Sequence, residues 1–404
     1  MTKSYKQETL DIEGIDSKAV EKSSYYWEHE PTLNKKDISE CDNKYNLVDL
    51  FCGAGGISCG FHMTNKFQTI LANDIYIPAL KTYEHNNEHT PTILGDVRKI
   101  TPEMYQDMIG DNKVHVVSAG VPCQGFSLSN KKRHANDERN FLFLEVVKFI
   151  NIYNPDIVMI ENVSGMKSLN KGSFVDEIKT SLEDAGEKGY TVIEPRLLNA
   201  ANYGVPQLRN RLIFLAVRNG LPNINYPIPE FGTESNPYRT IEDAIGDLPE
   251  LANHDEKNKY SKKKLKEYQN ILRGNQKELL NHKSPKHPQS TVDRIAKTEP
   301  SKPMYENYKQ RIRLSWSIQS PTQVAGGIRP QFQFGHPSQD RGLSIRERAR
   351  IQSFPDNYYF TGGIVQGRVQ TGNAVPPLLA KAIGREIVKV LDKHYGNKDK
   401  NYGI

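Results

Sequence analysis

Residues 45–56 read YNLVDLFCGAGG. The apolar run over 46–51 predicts a buried strand. Gly53, Gly55 and Gly56 follow at once, and glycine lets the backbone turn tightly and approach a ligand. ISCGFH, the next stretch, can start a helix. Strand, glycine turn and helix in this order open a doubly wound sheet, in which ligands bind outside the carboxyl ends of the strands. The spacing is neither the dinucleotide GxGxxG nor a Walker loop, which needs Gly-Lys followed by Ser or Thr. Neither NAD nor ATP is indicated, and a plain tight turn is the competing reading.

Outward from this stretch the pattern repeats. QTILANDI (68–75) predicts a second strand with an acidic tip at Asp74, and TILGDV (92–97) a short third element ending at Asp96. KVHVVSAG (113–120) and PDIVMIENV (155–163) read as buried strands, with NFLFLEVVKFI (140–150) a helix between them. GYTVIEPRLL and RLIFLAVR supply two more strands. Strands alternating with helices indicate an α/β sheet covered on both faces. The rhythm breaks near residue 218, where NGLPNINYPIPEFGTESNP is rich in proline and asparagine. RLSWSIQSPTQVAGGIRPQFQF (313–334) reads as strand and turn. LSIRERARIQSFP is helix-like up to Pro355, and PPLLAKAIGREIVKVLDKHY is a helix with prolines at its start and an apolar stripe. This last helix is expected to pack back on the first domain. The layout is therefore a discontinuous large domain with a small inserted one. Residues 1–45 read as a polar N-terminal extension with a helix or two.

The composition, 37% hydrophobic and 25% charged over 404 residues, fits a soluble globular protein of more than one domain. No apolar run reaches membrane-spanning length, and MTKSYKQETLDIEG has no signal-peptide core, so a cytoplasmic location is expected. Cys41, Cys52, Cys59 and Cys123 are too few and too scattered for a disulfide framework, and they lack the second close pair that structural zinc needs. No metal is expected. Residues 257–313 hold 16 Lys/Arg against 5 Asp/Glu, a local charge of +11 that exceeds the +6 of the whole chain. Such concentration suggests a polyanionic partner, a solvated lysine-rich surface being the alternative.

The strand ends carry candidate chemistry. Asp74 can accept hydrogen bonds from ribose hydroxyls, Ile75 can pack on a base, and Asp96 can accept from an adenine amino group. With the glycine turn this inventory points to an adenosine-type cofactor that needs no phosphate site, and S-adenosylmethionine fits it. Cys123, in SAGVPCQGFS (118–127), follows a strand end. Nucleophile, packing thiol and redox group all remain open at this point, although the lack of a CxxC disfavours redox. Glu161 and Asn162 sit at the end of the next strand. Arg209 and Arg211, in QLRNR, alternate with period two and can share one strand face, where guanidinium groups hold a carboxylate, phosphate or base carbonyl.

These pieces together resemble the DNA cytosine-5 methyltransferases of bacterial restriction-modification systems, from residue 46 to about 392. The motifs are DLFCGAGG, GVPCQGFS, ENV, QLRNR, GLSIRERARIQSFPD and GNAVPP, all in family order. The resemblance implies a Rossmann-like mixed sheet with helices on both faces, binding S-adenosylmethionine and releasing S-adenosylhomocysteine, plus a small target-recognition domain. Its implied boundaries are 46–217 and 343–404 for the catalytic part and 218–342 for target recognition. It implies that Cys123 attacks C6 of a flipped cytosine in double-stranded DNA. Glu161 then contacts the ring, Arg211 and Arg209 orient it, and Asn162 steadies the Pro122–Cys123 loop. Phe51, Gly53, Gly55, Ile57, Asp74, Ile75, Asp96, Val97 and Asn373 are the implied cofactor residues. Some relatives place an aromatic residue where Ile75 stands. Gln124, Ser127, Lys131 and Arg133 are candidate DNA contacts of the active-site loop, and Arg311, Arg313 and Arg329 candidate base readers. Further expectations are a monomer, nucleoid association through DNA and a companion restriction endonuclease. An RNA (tRNA) cytosine-5 methyltransferase and a catalytically silent DNA-binding relative are the alternatives.

Overall fold

The computed structural model describes residues 24–38, 43–122, 142–166, 173–325 and 333–396. The strand read from YNLVDL is β2 (Tyr45–Leu50), and all six of its residues are buried. That burial follows from its place in the sheet. It pairs in parallel with β3 (Phe67–Asp74) on one side and with β5 (Val116–Gly120) on the other. Strands β4 (Thr92–Leu94) and β6 (Ile157–Val163) extend the parallel part. Beyond β6 lie β9 (Asn210–Arg218) and then β7 (Tyr190–Asn199), both antiparallel to their neighbours, while the two-residue β8 (Gln207–Leu208) pairs outside this sheet with Ser320–Pro321. Residues 32–34 form β1, antiparallel to β4 at the opposite edge. The eight-stranded order β1-β4-β3-β2-β5-β6-β9-β7 makes the sheet mixed. The order in which the chain adds strands reverses at β2, which creates a crevice at the carboxyl ends of β2 and β5.

Helices cover both faces. On one face Tyr105 and Met108 (helix Pro102–Ile109), Val146 and Phe149 (helix Phe143–Tyr153) and Phe174 and Ile178 (helix Ser173–Glu183) pack on the sheet. On the other, Ile57 and Phe61 from helix Gly56–His62 join Leu379, Ile383 and Ile387 from helix Pro377–Tyr395. The C-terminal helix does return to the first core, as its apolar stripe suggested. Its Asp392 accepts a 2.6 Å hydrogen bond from Tyr45 at the start of β2.

A third core belongs to the smaller domain. Ile241, Ile245, Leu248, Tyr268, Leu272, Leu314 and Phe334 form it together with Leu343 and Ile351. Ile224 and Tyr226, from the proline-rich stretch, pack instead with the sheet. Helix Ile345–Ile351 joins the parts and is buried along its whole length, arginines included. It stops before Pro355, as the sequence requires. Burying arginines demands partners. Arg350 reaches Asp247 at 2.5 Å and Asp356 at 2.6 Å, and Arg341 holds Glu347 through two bonds of 2.7 and 2.8 Å. Burial would raise the Asp356 carboxyl, but Arg350 and Arg346 overcome it and keep the group below its ordinary range.

Candidate active site

The crevice at the switch point holds a cavity of about 390 Å3. Its floor is the turn after β2. Gly53 and Gly55 there have φ of 54° and 82°, and so does a non-glycine residue, Phe51, at 55°. A bulky side chain in the left-handed region costs about 1–2 kcal/mol and is kept where the surroundings enforce it. Asp74 supplies one restraint. Its Oδ2 accepts from the Gly53 amide and its Oδ1 from the Tyr76 amide, each at 2.7 Å. Burial raises the Asp74 carboxyl above its usual value, and those amides oppose the shift. A Cβ on Gly56 would lie 2.1 Å from the Val375 carbonyl oxygen, so the glycine lets helix Gly56–His62 meet the GNAVPP segment.

Phe51, Gly53, Ile57, Asp74, Ile75, Asp96, Val97 and Asn373 line the cavity. Gly55 is not on its wall. A Cβ there would strike the Tyr358 hydroxyl at 2.5 Å and the Tyr83 ring at 2.9 Å, so its glycine serves the turn and that close packing. Asp96 is largely engaged by Arg98, which donates from its amide at 3.0 Å and from its guanidinium at 2.6 Å. A carboxylate accepts more than two bonds, so both acids keep capacity for a ligand.

The β5 and β6 end of the cavity carries Pro122, Glu161 and Arg211. Glu161 pairs with Gly120 across the parallel strands, and Val163 with Arg211 across the antiparallel ones. Arg211 Nε lies 2.6 Å from Glu161 Oε1, each side chain about one-tenth exposed (11% and 10%). Burial lowers the Arg211 guanidinium and Glu161 opposes the shift. Asn162 is buried, and its Oδ1 accepts from the Val163 amide at 2.8 Å.

Arg209 departs from the expected pairing. It is fully buried, off the cavity wall, and donates to the carbonyls of Gln323 and Gly372 at 2.9 Å each. It ties three distant segments together, and only Arg211 faces Glu161. Cys123, Gln124, Ser127, Lys131, Arg133 and Arg329 lie outside the described residues. Arg311 is fully buried, 4.3 Å over the Tyr308 ring. Arg313 is 8% exposed and donates to the carbonyls of Ile295 and His336. Reading a base with either would require undoing that packing. Cys52 and Cys59 are buried free thiols, and burial pushes Cys59 up to about 12, so neither is a ready thiolate.

The cavity's chemistry fits S-adenosylmethionine. Its walls present Asp74, Asp96 and Glu161, and Arg211 is the only Lys or Arg among its described lining residues. Among the described lining residues a phosphate would find no free cation, whereas a nucleoside carrying a sulfonium and an ammonium meets apolar faces and acceptors. Tyr25, Trp27, Cys52, Asn73 and Tyr76 also line the cavity, and the motif reading did not include them.

A family model, C-5 cytosine-specific DNA methylase, matches residues 45–389. The chain belongs to this family. It is 34% identical to the type II methyltransferase M.Eco47II of Escherichia coli, over 87% of this chain and 81% of that one. It is also 34% identical to M.DdeI of Desulfomicrobium norvegicum, over 85% and 88% respectively. In fold it resembles a protein of an Escherichia coli prophage described as a DNA modification methyltransferase. That match has a TM-score of 0.73 and 22% identity, covering 86% of this chain and all of the other. A DNMT2 of Spodoptera frugiperda shares the fold at a TM-score of 0.55 and 18% identity, over 86% of this chain and 99% of the other. This DNA (cytosine-5-)-methyltransferase transfers a methyl group from S-adenosylmethionine to C5 of cytosine in DNA, its substrate being double-stranded DNA. No helix among the described residues is long and apolar enough to cross a membrane.

Proposed function

We propose that Cys123 is the nucleophile and that the Glu161–Arg211 pair receives the target base. The observation that carries this reading is the pair's position, 2.6 Å apart in the cavity that Pro122 also lines. Pro122 is the chain neighbour of Cys123. C5 of cytosine is a poor nucleophile until a soft thiolate adds at C6. The Cys123 sulfur forms a bond to C6, and the displaced electrons pass through the ring toward N3, which takes up a proton through Glu161. S-adenosylmethionine, when bound, supplies the electrophilic methyl group. Once C5 carries that methyl, a solvent water takes the C5 proton, and the electrons of that C–H bond re-form the C5–C6 double bond and expel the Cys123 thiolate. Arg211 holds Glu161 in place and offers its remaining N–H groups to the base carbonyl. Asn162 braces the end of β6. Asp74 and Asp96 hold the nucleoside, with Phe51, Ile57, Ile75, Val97 and Asn373 around it.

Reaching C5 and C6 in a duplex requires the cytosine to leave the stack. Residues 46–217 and 343–404 form the catalytic part of this proposal and 218–342 the part that reads sequence, with Lys131 and Arg133 on the backbone. Its setting is a cytoplasmic monomer working on the nucleoid beside a restriction endonuclease of the same site. A duplex with 5-fluorocytosine at the target tests the chemistry, because fluorine at C5 blocks release. The enzyme with cofactor should form a complex that survives denaturation. Cys123→Ser should form none while still binding DNA; an adduct from that variant would overturn the assignment.

A further inference from the structure

The cavity has two ends. Glu161, Arg211 and Pro122 stand at the β5 and β6 end, and Ile75, Asp96 and Val97 at the β3 and β4 end. In the proposed reading the second end takes the adenosine. Ile75 offers only an aliphatic face there. Aromatic side chains complete this wall: Tyr76 beside Ile75, and two from the N-terminal segment, Tyr25 and Trp27. This segment precedes the part of the chain that matches the family, which begins at residue 45.

It is anchored on both sides of that end. The Tyr26 amide donates to the Ile75 carbonyl and the Ile77 amide to the Ser24 carbonyl, each at 3.0 Å. Tyr25 and Tyr76 bridge as antiparallel neighbours, their ring centroids 4.9 Å apart. Further on, β1 pairs with β4, and Asn34 donates to Glu84 at 2.8 Å. A Cβ on Gly95 would lie 2.9 Å from the Pro31 Cα, so the segment lies hard against the loop that presents Asp96. Between these anchors Tyr25 and Trp27 stack, centroids 5.8 Å apart and planes 20° from parallel. Trp27 is nonetheless 41% exposed, a large apolar surface left open at the edge of a cavity. A flat aromatic ligand would cover it.

We propose that residues 24–34 form a strap that completes the cofactor site, with Tyr25 and Trp27 supplying the aromatic face for the adenine ring opposite Ile75. The strap gives this chain, from outside the family match, the stacking surface that Ile75 lacks. The inference rests on the assignment of the cavity to the cofactor.

S-adenosylhomocysteine is the probe, and binding is read by calorimetry and by fluorescence on the full chain. Trp27→Ala should raise the Kd about tenfold, the size of one stacked aromatic contact. Trp27→Phe should restore most of the affinity. The chain has two tryptophans, so Trp316→Phe leaves Trp27 as the single indole. Its emission should then change saturably, with the calorimetric Kd. Asp74→Ala serves as the control for the cavity. If the probe binds and Asp74→Ala weakens it, yet Trp27→Ala and the Trp27 emission are both unaffected, the strap proposal is overturned and the cavity assignment stands. If Asp74→Ala leaves the Kd unchanged, the cavity assignment falls, and the strap proposal with it.

Discussion

Arg211 Nε and Glu161 Oε1 meet at 2.6 Å across two antiparallel strands, at the edge of a cavity formed where the strand order of the sheet reverses. Removing one partner of a buried pair leaves the other charge without compensation, at a cost of about 3–5 kcal/mol. Arg211→Ala should therefore lower the single-turnover rate of methyl transfer by about 100-fold or more, the scale of losing one preorganised donor. Arg211→Lys should recover part of it, since lysine keeps the charge but not the planar fork. An unchanged rate in Arg211→Ala would separate the pair from the chemistry.

Arg209, two residues away, should behave differently. Its Nη1 and Nη2 donate to the carbonyls of Gln323 and Gly372, while its Nε is buried without a partner. Arg209→Met should lower stability by roughly 2–4 kcal/mol, because buried carbonyls lose their donors. The protein that remains folded should keep a near-normal rate per molecule. Urea unfolding combined with active-site titration measures both quantities.

Gly56→Ala drives a Cβ to 2.1 Å from a backbone oxygen of Val375. Neither backbone can yield as a side chain would. The expected cost is about 1–3 kcal/mol of stability, typical of an overpacked contact, with a weaker Kd for S-adenosylhomocysteine. Thermal unfolding and calorimetry would reveal it, and wild-type values for both would show that the helix shifts freely.

Asp49, buried near the carboxyl end of β2, accepts from Ser58 at 2.6 Å and Ser118 at 2.7 Å, and burial raises its carboxyl to about 6. A raised folded value means that the native state binds the proton more tightly than the unfolded chain does. Asp49 thus favours folding below about pH 4, and this contribution is lost as pH rises through about 6, amounting to roughly 3 kcal/mol. Asp356, with its lowered carboxyl, works in the opposite direction, so the informative quantity is the difference between wild type and Asp49→Asn. This variant should gain stability relative to wild type between pH 4.5 and 7. Parallel urea midpoints for the two proteins would count against the assignment.

The sequence by itself determined the order of strands and helices. Burial of parallel strands on both faces writes itself as apolar runs such as VVSAG and IVMIENV, and the tight turn writes itself as glycine. It also determined which residues reach the carboxyl ends: Asp74, Asp96, Pro122 and Glu161 follow from strand ends alone. Partnership was left to the tertiary structure. Arg209 and Arg211 look equivalent in QLRNR, yet one meets Glu161 from a neighbouring strand while the other meets carbonyls more than a hundred residues away. Arg313 reads as a free base-reading donor until its guanidinium is seen donating to carbonyls inside the smaller domain. Helix Ile345–Ile351 shows no apolar periodicity that would announce complete burial, because ion pairs with Asp247, Asp356 and Glu347 make the burial tolerable. The place of Tyr25 and Trp27 beside Ile75 was equally illegible. It depends on a short edge strand, β1, pairing with β4, and a segment of a few residues carries too little periodicity to reveal which edge it will choose.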